Sequence, residues 1–240
     1  MLLVTSLQSN TVEQIVSRGE EIRILWILEG RESDIAYTAS IINPTTGRLA
    51  LIDVPADLGR ILRTLDRVDR IDAVLAERGV GAFSEEVGDL LGVPMDHYVR
   101  LPPAFLADLV DVLGGLPVAV LDAIEVLDTD IPLLVPGGQA VLAGSEVVPY
   151  LEGQDEDTDE LLDRRWNVLV SLLQQMRESD AVLATREARR VFARDLDSSL
   201  EWEAFRELAS VVTVSEPDSV VTQRILGQYR SVDTDRKSVV

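Results

Sequence analysis

Two parts of this 240-residue sequence carry side chains whose types and spacing suggest chemistry. The first is His97, the single histidine, so any Ser-His-Asp arrangement would depend on it alone and multi-histidine metal sites are excluded. It lies in the apolar stretch His97-Tyr98-Val99-Arg100-Leu101, where a packed core residue is the expected role. The second is the acidic run from Glu152 to Asp163, in which Asp155, Asp157 and Asp159 are spaced like the first three ligands of a calcium loop. Glu160 stands where such a loop needs glycine, and Trp166 where it needs its last carboxylate, so the run reads as a solvated loop. With no cysteine, thiol nucleophiles, thiolate metal sites and disulfides are excluded together.

Charge narrows the partners. Lys and Arg number 22 against 42 Asp and Glu, a formal net charge of -20 that repels polyanions and argues against nucleic acid. A content of 46% hydrophobic and 27% charged residues is that of a globular chain, long enough to bury a full core without staples.

The elements that must position any site follow from the apolar pattern. Ile22 to Leu28 is a nearly continuous apolar run, predicting a buried central strand. Ile35 to Ile42 and Arg48 to Val54 are β-rich and joined by Asn43-Pro44-Thr45-Thr46-Gly47, which predicts a hairpin. Leu58, Ile61, Leu62, Leu65 and Val68 have helical spacing and predict an amphipathic helix. Ile71 to Ala76 extends it or starts another, and Ser84 reads as the N-cap of a helix ending near Gly92. Further predictions are a strand at His97 to Leu101, a helix from Pro103 to Gly114-Gly115, a strand at Val118 to Leu121, and short strands and loops over 122–149. A helix with Trp166, Leu169, Leu172, Leu173 and Met176 inward comes next, then helices over 185–196 and 199–209. Ser198 and Glu201 are spaced as a capping box for the last of these, and Val211 to Val214 is expected as a final strand. Trp26 and Trp166 are expected in the core or lining a pocket, and Trp202 partly buried. The expected division is an N-terminal arm over 1–21, one α/β domain over 22–215 and a tail over 216–240. Because the hairpin rules out a wholly parallel sheet, the fold class is a three-layer α/β/α domain with a mixed central sheet and helices on both faces.

Seven segments in this order resemble a known family. They are Arg31-Glu32-Ser33-Asp34, Ile41-Ile42-Asn43-Pro44-Thr45-Thr46-Gly47, Asp53-Val54-Pro55-Ala56-Asp57, Arg70-Ile71-Asp72-Ala73, Leu90 to Val99, Leu109-Val110-Asp111-Val112-Leu113-Gly114-Gly115, and Leu142 to Tyr150. Together they are similar to the LytR-CpsA-Psr family, also called cell-envelope-related transcriptional attenuators, over roughly residues 22 to 176. The resemblance implies an α/β/α fold with an apolar tunnel for a lipid tail. It also implies an extracytoplasmic place, anchored by a helix whose apolar span would lie upstream of Met1 behind a basic cluster. Many members move anionic glycopolymers from a polyprenyl pyrophosphate carrier to peptidoglycan, with arginines on the pyrophosphate and acids on a magnesium ion.

Carried over residue by residue, the site is incomplete. Asp34 and Asp57 match the acids expected to hold magnesium, and Arg165 matches one arginine. Arg31 is one residue out of register because Glu32 stands in its place. Ala56 replaces the arginine of the Pro-Arg-Asp motif, and Glu152 and Gln154 replace the two that follow the late tyrosine. Four of the five expected arginine positions therefore lack a matching arginine. A pyrophosphate is held mainly by cations, and exchanging an arginine for a glutamate about 5 Å away turns roughly -3 kcal/mol per unit ligand charge into roughly +3. The resulting expectation is a non-catalytic cell-envelope domain that binds a glycan, a lipid or a protein partner, with Arg31, Asp34, Asp57 and Arg165 as its ligand-binding candidates. The alternatives are an active phosphotransferase using Asp34, Asp57 and magnesium, and a purely structural interaction module.

Overall fold

The computed structural model describes residues 16–120, 123–126, 133–152, 158–212 and 219–225. The run predicted as a central strand forms β1 (Ile22–Glu29), with Ile22, Ile24, Leu25 and Ile27 fully buried. Its alternate side chains enter two different cores: Ile24, Trp26 and Leu28 one, Leu25 and Ile27 the other. The Trp26 indole N–H donates to Ser40 Oγ at 2.8 Å, so this polar group is not buried unsatisfied.

On one side β1 pairs antiparallel with β2 (Asp34–Asn43), which turns back into β3 (Arg48–Asp53). The predicted hairpin turn is held by Asn43 Oδ1, which accepts the N–H groups of Thr45 and Thr46 at 3.1 Å each. On its other side β1 pairs parallel with β6 (His97–Leu101). Two strands from the C-terminal part complete the edges: β11 (Asp197–Ser198) runs antiparallel to β6, and β12 (Val220–Arg224) runs parallel to β3. The order β11-β6-β1-β2-β3-β12 is the mixed sheet expected, and the fold is α/β.

One face carries α1 (Asp72–Leu91), whose Val74, Phe83 and Val87 join Leu25, Ile27 and Tyr37. The other carries α2 (Pro103–Leu113), α3 (Gly144–Glu152), α4 (Thr158–Glu178), the short α5 (Asp180–Leu183), α6 (Arg186–Asp195) and α7 (Trp202–Val211). Trp202 is more buried than expected, at 3% exposure, and stacks on Phe192 at 5.2 Å. Phe205 links this pair to Trp26, at 5.9 Å from Trp202 and 6.3 Å from Trp26, which ties α6 and α7 to the sheet. Two small ribbons complete this side, β7 (Leu116–Val120) with β10 (Gly138–Leu142) and β8 (Ile124–Val126) with β9 (Leu133–Val135).

Several expectations are corrected. The amphipathic helix over Leu58 to Val68 is instead a hairpin of β4 (Gly59–Leu62) and β5 (Arg67–Arg70), turned through Asp66 at φ 54°. Ile61 and Val68 face each other across it and are exposed, so the helical spacing did not mark a buried stripe. Ser84 does not cap a helix: α1 begins at Asp72 and is kinked at Gly79, whose φ of 81° glycine tolerates, after which the helix resumes. Gly144–Glu152, read as strand and loop, is helical despite Pro149; its first turn is fixed by Asp111, which accepts the Gly144 N–H at 2.7 Å. Ser198 is a strand residue, donating to the Tyr98 carbonyl at 2.8 Å, and α7 starts at Trp202 without a side-chain cap. Val211 ends α7 and is not in a strand, while Thr213 and Val214 lie outside the described residues. The stretch read as a tail supplies β12. Most of the N-terminal arm lies outside the described residues, as do Asp155 and Asp157.

Buried charge anchors the unexpected hairpin. Glu86, 2% exposed on α1, pairs with Arg60 Nε at 3.1 Å and accepts from Thr64 Oγ1 at 3.3 Å. Removing one member of a buried pair leaves the other uncompensated, so Glu86→Ala is expected to cost about 3 kcal/mol in urea unfolding, and an unchanged midpoint would refute the anchoring role.

Candidate functional site

The site begins where β1 and β2 part. Their register slips between Leu28 and Glu29, and the tight turn that follows is closed by the Gly30 N–H donating to the Ser33 carbonyl at 2.8 Å. This irregular end delivers Glu29, Arg31, Glu32 and Asp34 to the edge of an open cavity of about 600 Å³. Tyr37 and Ala56 extend its wall, Arg70 and Asp72 come from the β5–α1 junction, and Arg100 from the end of β6. The kinked stretch of α1, including Gly79 and Val80, closes another side.

The lining holds four carboxylates, Glu29, Glu32, Asp34 and Asp72, and three guanidiniums, Arg31, Arg70 and Arg100. All three guanidiniums have a carboxylate partner. Arg31 Nε donates to Glu152 Oε2 at 2.6 Å, and Arg70 grips Asp72 through Nη2 at 2.5 Å and Nε at 3.1 Å. Arg100 pairs with Glu29 and, at 3.1 Å, with Asp197. The pairing is geometric neutralisation: these donors already point at protein oxygens.

Neighbouring charge is visible in the titrating groups. Burial raises the Glu29 carboxyl, opposed by Arg100 and reinforced by Asp34 and Asp197. Burial also pushes the Tyr37 hydroxyl up, with help from Asp34, to which it donates at 2.9 Å. Asp53, 6% exposed at the end of β3, is pushed up to about 6 by burial, against the pull of Arg224 and Arg165 and with a further push from Asp57.

The four residues singled out in the sequence are therefore not gathered in one place. Arg31 and Asp34 line the cavity. Asp57 does not line it, although its neighbour Ala56 does; its charge acts on Arg70 and on Asp53. Arg165 lies on α4, across the sheet from α1, beside Asp53; burial lowers it, Asp53 opposes that, and its Nε has no hydrogen-bond partner among the described residues. Among the described residues no three His, Asp or Glu side chains converge in a group able to hold a metal ion. Asp34 accepts from the Tyr37 hydroxyl and lines the cavity, whereas Asp57 does not line it; magnesium usually takes one or two carboxylates plus phosphate oxygens. His97 is half-buried beside a second groove of about 680 Å³, its Nδ1 3.3 Å from Ser199 Oγ; burial lowers it.

Sequence reasoning missed Arg70, Arg100 and Glu29. Arg70 stands at the basic position of a recognised segment, and Glu29 and Arg100 end or nearly end strands pointing at the same place, which was the available signal.

A three-layer α/β domain with a charged cavity beyond the end of its central strand is the class the geometry defines. The LytR_cpsA_psr family model matches residues 34–239, and the chain belongs to that family. It is 26% identical over 129 residues to the polyisoprenyl-teichoic acid–peptidoglycan teichoic acid transferase TagU of Bacillus licheniformis and, over an equal span, to that of Bacillus subtilis. These matches take in 54% of this chain and 40% of each relative. Among solved structures, a transcriptional regulator (EF0465) from Enterococcus faecalis superposes with a TM-score of 0.73 at 20% identity, over 91% of this chain and 80% of that one. TagV of B. subtilis gives 0.72 at 16% identity, over 88% and 86%, and TagT bound to LI-WTA gives 0.67 at 17%, over 88% and 81%. Among the described residues no helix is long and apolar enough to cross a membrane.

The Asp53 environment gives a signed pH prediction. Its folded carboxyl holds a proton up to about pH 6, whereas in the unfolded chain it loses that proton near pH 4, so its contribution to stability falls as pH rises between those values. Asp53→Asn is expected to match the wild type near pH 4 and to exceed it by on the order of 2 kcal/mol at pH 8, measured by urea unfolding. A gap that does not change with pH would contradict the assignment.

Proposed function

We propose that this chain is an extracytoplasmic cell-envelope domain that has left glycopolymer transfer and uses its cavity to bind an envelope glycan. One observation carries the reading: every guanidinium lining the cavity is paired with a carboxylate, and the lining as a whole has more acids than bases. A pyrophosphate brings two or more negative charges and needs cations that are free to meet it. Paired carboxylates and guanidiniums suit hydroxyl-rich, weakly charged ligands, because each retains acceptor lone pairs or N–H donors in fixed directions. The family membership and the relatives named for teichoic acid and peptidoglycan support an envelope glycan as the ligand class. In this reading an anchor outside the 240 residues keeps the domain on the outer side of the cytoplasmic membrane.

A second reading, a transferase with a rebuilt site, is favoured by the three cavity arginines; Asp34 would then hold magnesium, which would supply neutralising charge for the substrate phosphates. The two readings separate in one comparison. Titration with a soluble neutral muropeptide is expected to show saturable binding, weakened about tenfold or more in Arg70→Ala. Incubation with a polyprenyl-pyrophosphate-linked oligosaccharide and magnesium is expected to release no lipid product. Magnesium-dependent release that Asp34→Asn abolishes would establish the transferase instead.

A further inference from the structure

Glu152 has an unusual position for a carboxylate. It is the last residue of α3, where the helix dipole disfavours negative charge, yet its side chain is only 20% exposed. It is held there by the turn after β1: one oxygen accepts the Arg31 backbone N–H at 2.6 Å and the other the Arg31 Nε at 2.6 Å. A backbone N–H and a guanidinium converging on the two oxygens of one group make a receptor for an oxyanion. Gly30 makes room for it, since a Cβ at that position would overlap Glu152 Oε1.

We infer that the Gly30–Arg31 turn is an oxyanion site and that Glu152 is its tethered internal ligand, displaced by a phosphate group carried on the ligand of the neighbouring cavity. The inference rests on the proposed use of that cavity for binding, because Arg31 belongs to both. A tethered carboxylate competes at an effective concentration of about millimolar or more, so an external phosphate meets a site that is mostly filled. Glu152 thus sets a threshold: neutral glycans enter the cavity without disturbing it, and phosphorylated ones must exchange with it.

The test is calorimetric titration of the 240-residue protein at low ionic strength with inorganic phosphate and, separately, with a hexose 1-phosphate. Glu152→Ala is expected to bind the sugar phosphate about tenfold or more tightly than the wild type, and Glu152→Gln, which keeps the side-chain size, to gain less. A matching gain for inorganic phosphate identifies the oxyanion alone as the ligand; a gain confined to the sugar phosphate identifies a phosphorylated glycan. Arg31→Ala combined with Glu152→Ala is expected to lose the gain. If neither Glu152 variant binds either probe more tightly while both keep the wild-type melting temperature, the inference is overturned. If Glu152→Ala does not fold, Glu152→Gln alone decides it. Neutral muropeptide binding is measured on the same samples. Its absence alongside a phosphate gain would remove the glycan reading and leave the oxyanion site standing.

Discussion

The burial of β1 on both faces is the constraint from which the rest of the molecule follows. With Ile22, Ile24, Leu25 and Ile27 inaccessible, neither face of the sheet can carry a charge at its centre. Each face needs a helical cover, which α1 supplies on one side and α2, α4 and α7 on the other. The charges that an acidic chain must place somewhere are pushed to the strand ends. Glu29, Asp34, Asp53 and Arg100 all lie at or next to such an end, and the cavity is where three of them meet. The site is thus the boundary at which a dry sheet returns to water.

That logic explains what the sequence did and did not disclose. Patterns that report burial were reliable: the apolar run of β1, the Asn43 turn, and the Gly114-Gly115 stop of α2, where Gly114 takes φ 85°. Patterns that report only periodicity failed where tertiary contacts decided the outcome. The stretch Leu58 to Val68 has helical spacing, but Arg60 reaching the buried Glu86 selects a hairpin. The Ser198 signature failed for a related reason, since the same side chain is better satisfied against the β6 edge. The family resemblance located Arg31 and Asp34 at the cavity. It could not show that Arg100 and Arg70 would join them, because Arg100 arrives through the parallel register of β1 and β6 and Arg70 at the end of the β4–β5 hairpin, where the spacing predicts a helix.

The cavity is not short of cations, but each of its three arginines has a carboxylate partner. Arg31 with Glu152, Arg70 with Asp72 and Arg100 with Glu29 form a rim in which charge is local and nearly balanced. Such a rim orders side chains and fixes hydrogen-bond directions while presenting little net field. These pairs sit on a backbone that superposes on the transcriptional regulator from Enterococcus faecalis and on TagV with TM-scores of 0.73 and 0.72.

The parallel pairing of β12 with β3 has a temporal side. Val220 meets Leu49 across about 170 residues of chain, so this edge closes only after nearly all of the intervening sequence has been made and ordered. Until then β3 presents an open row of backbone donors and acceptors.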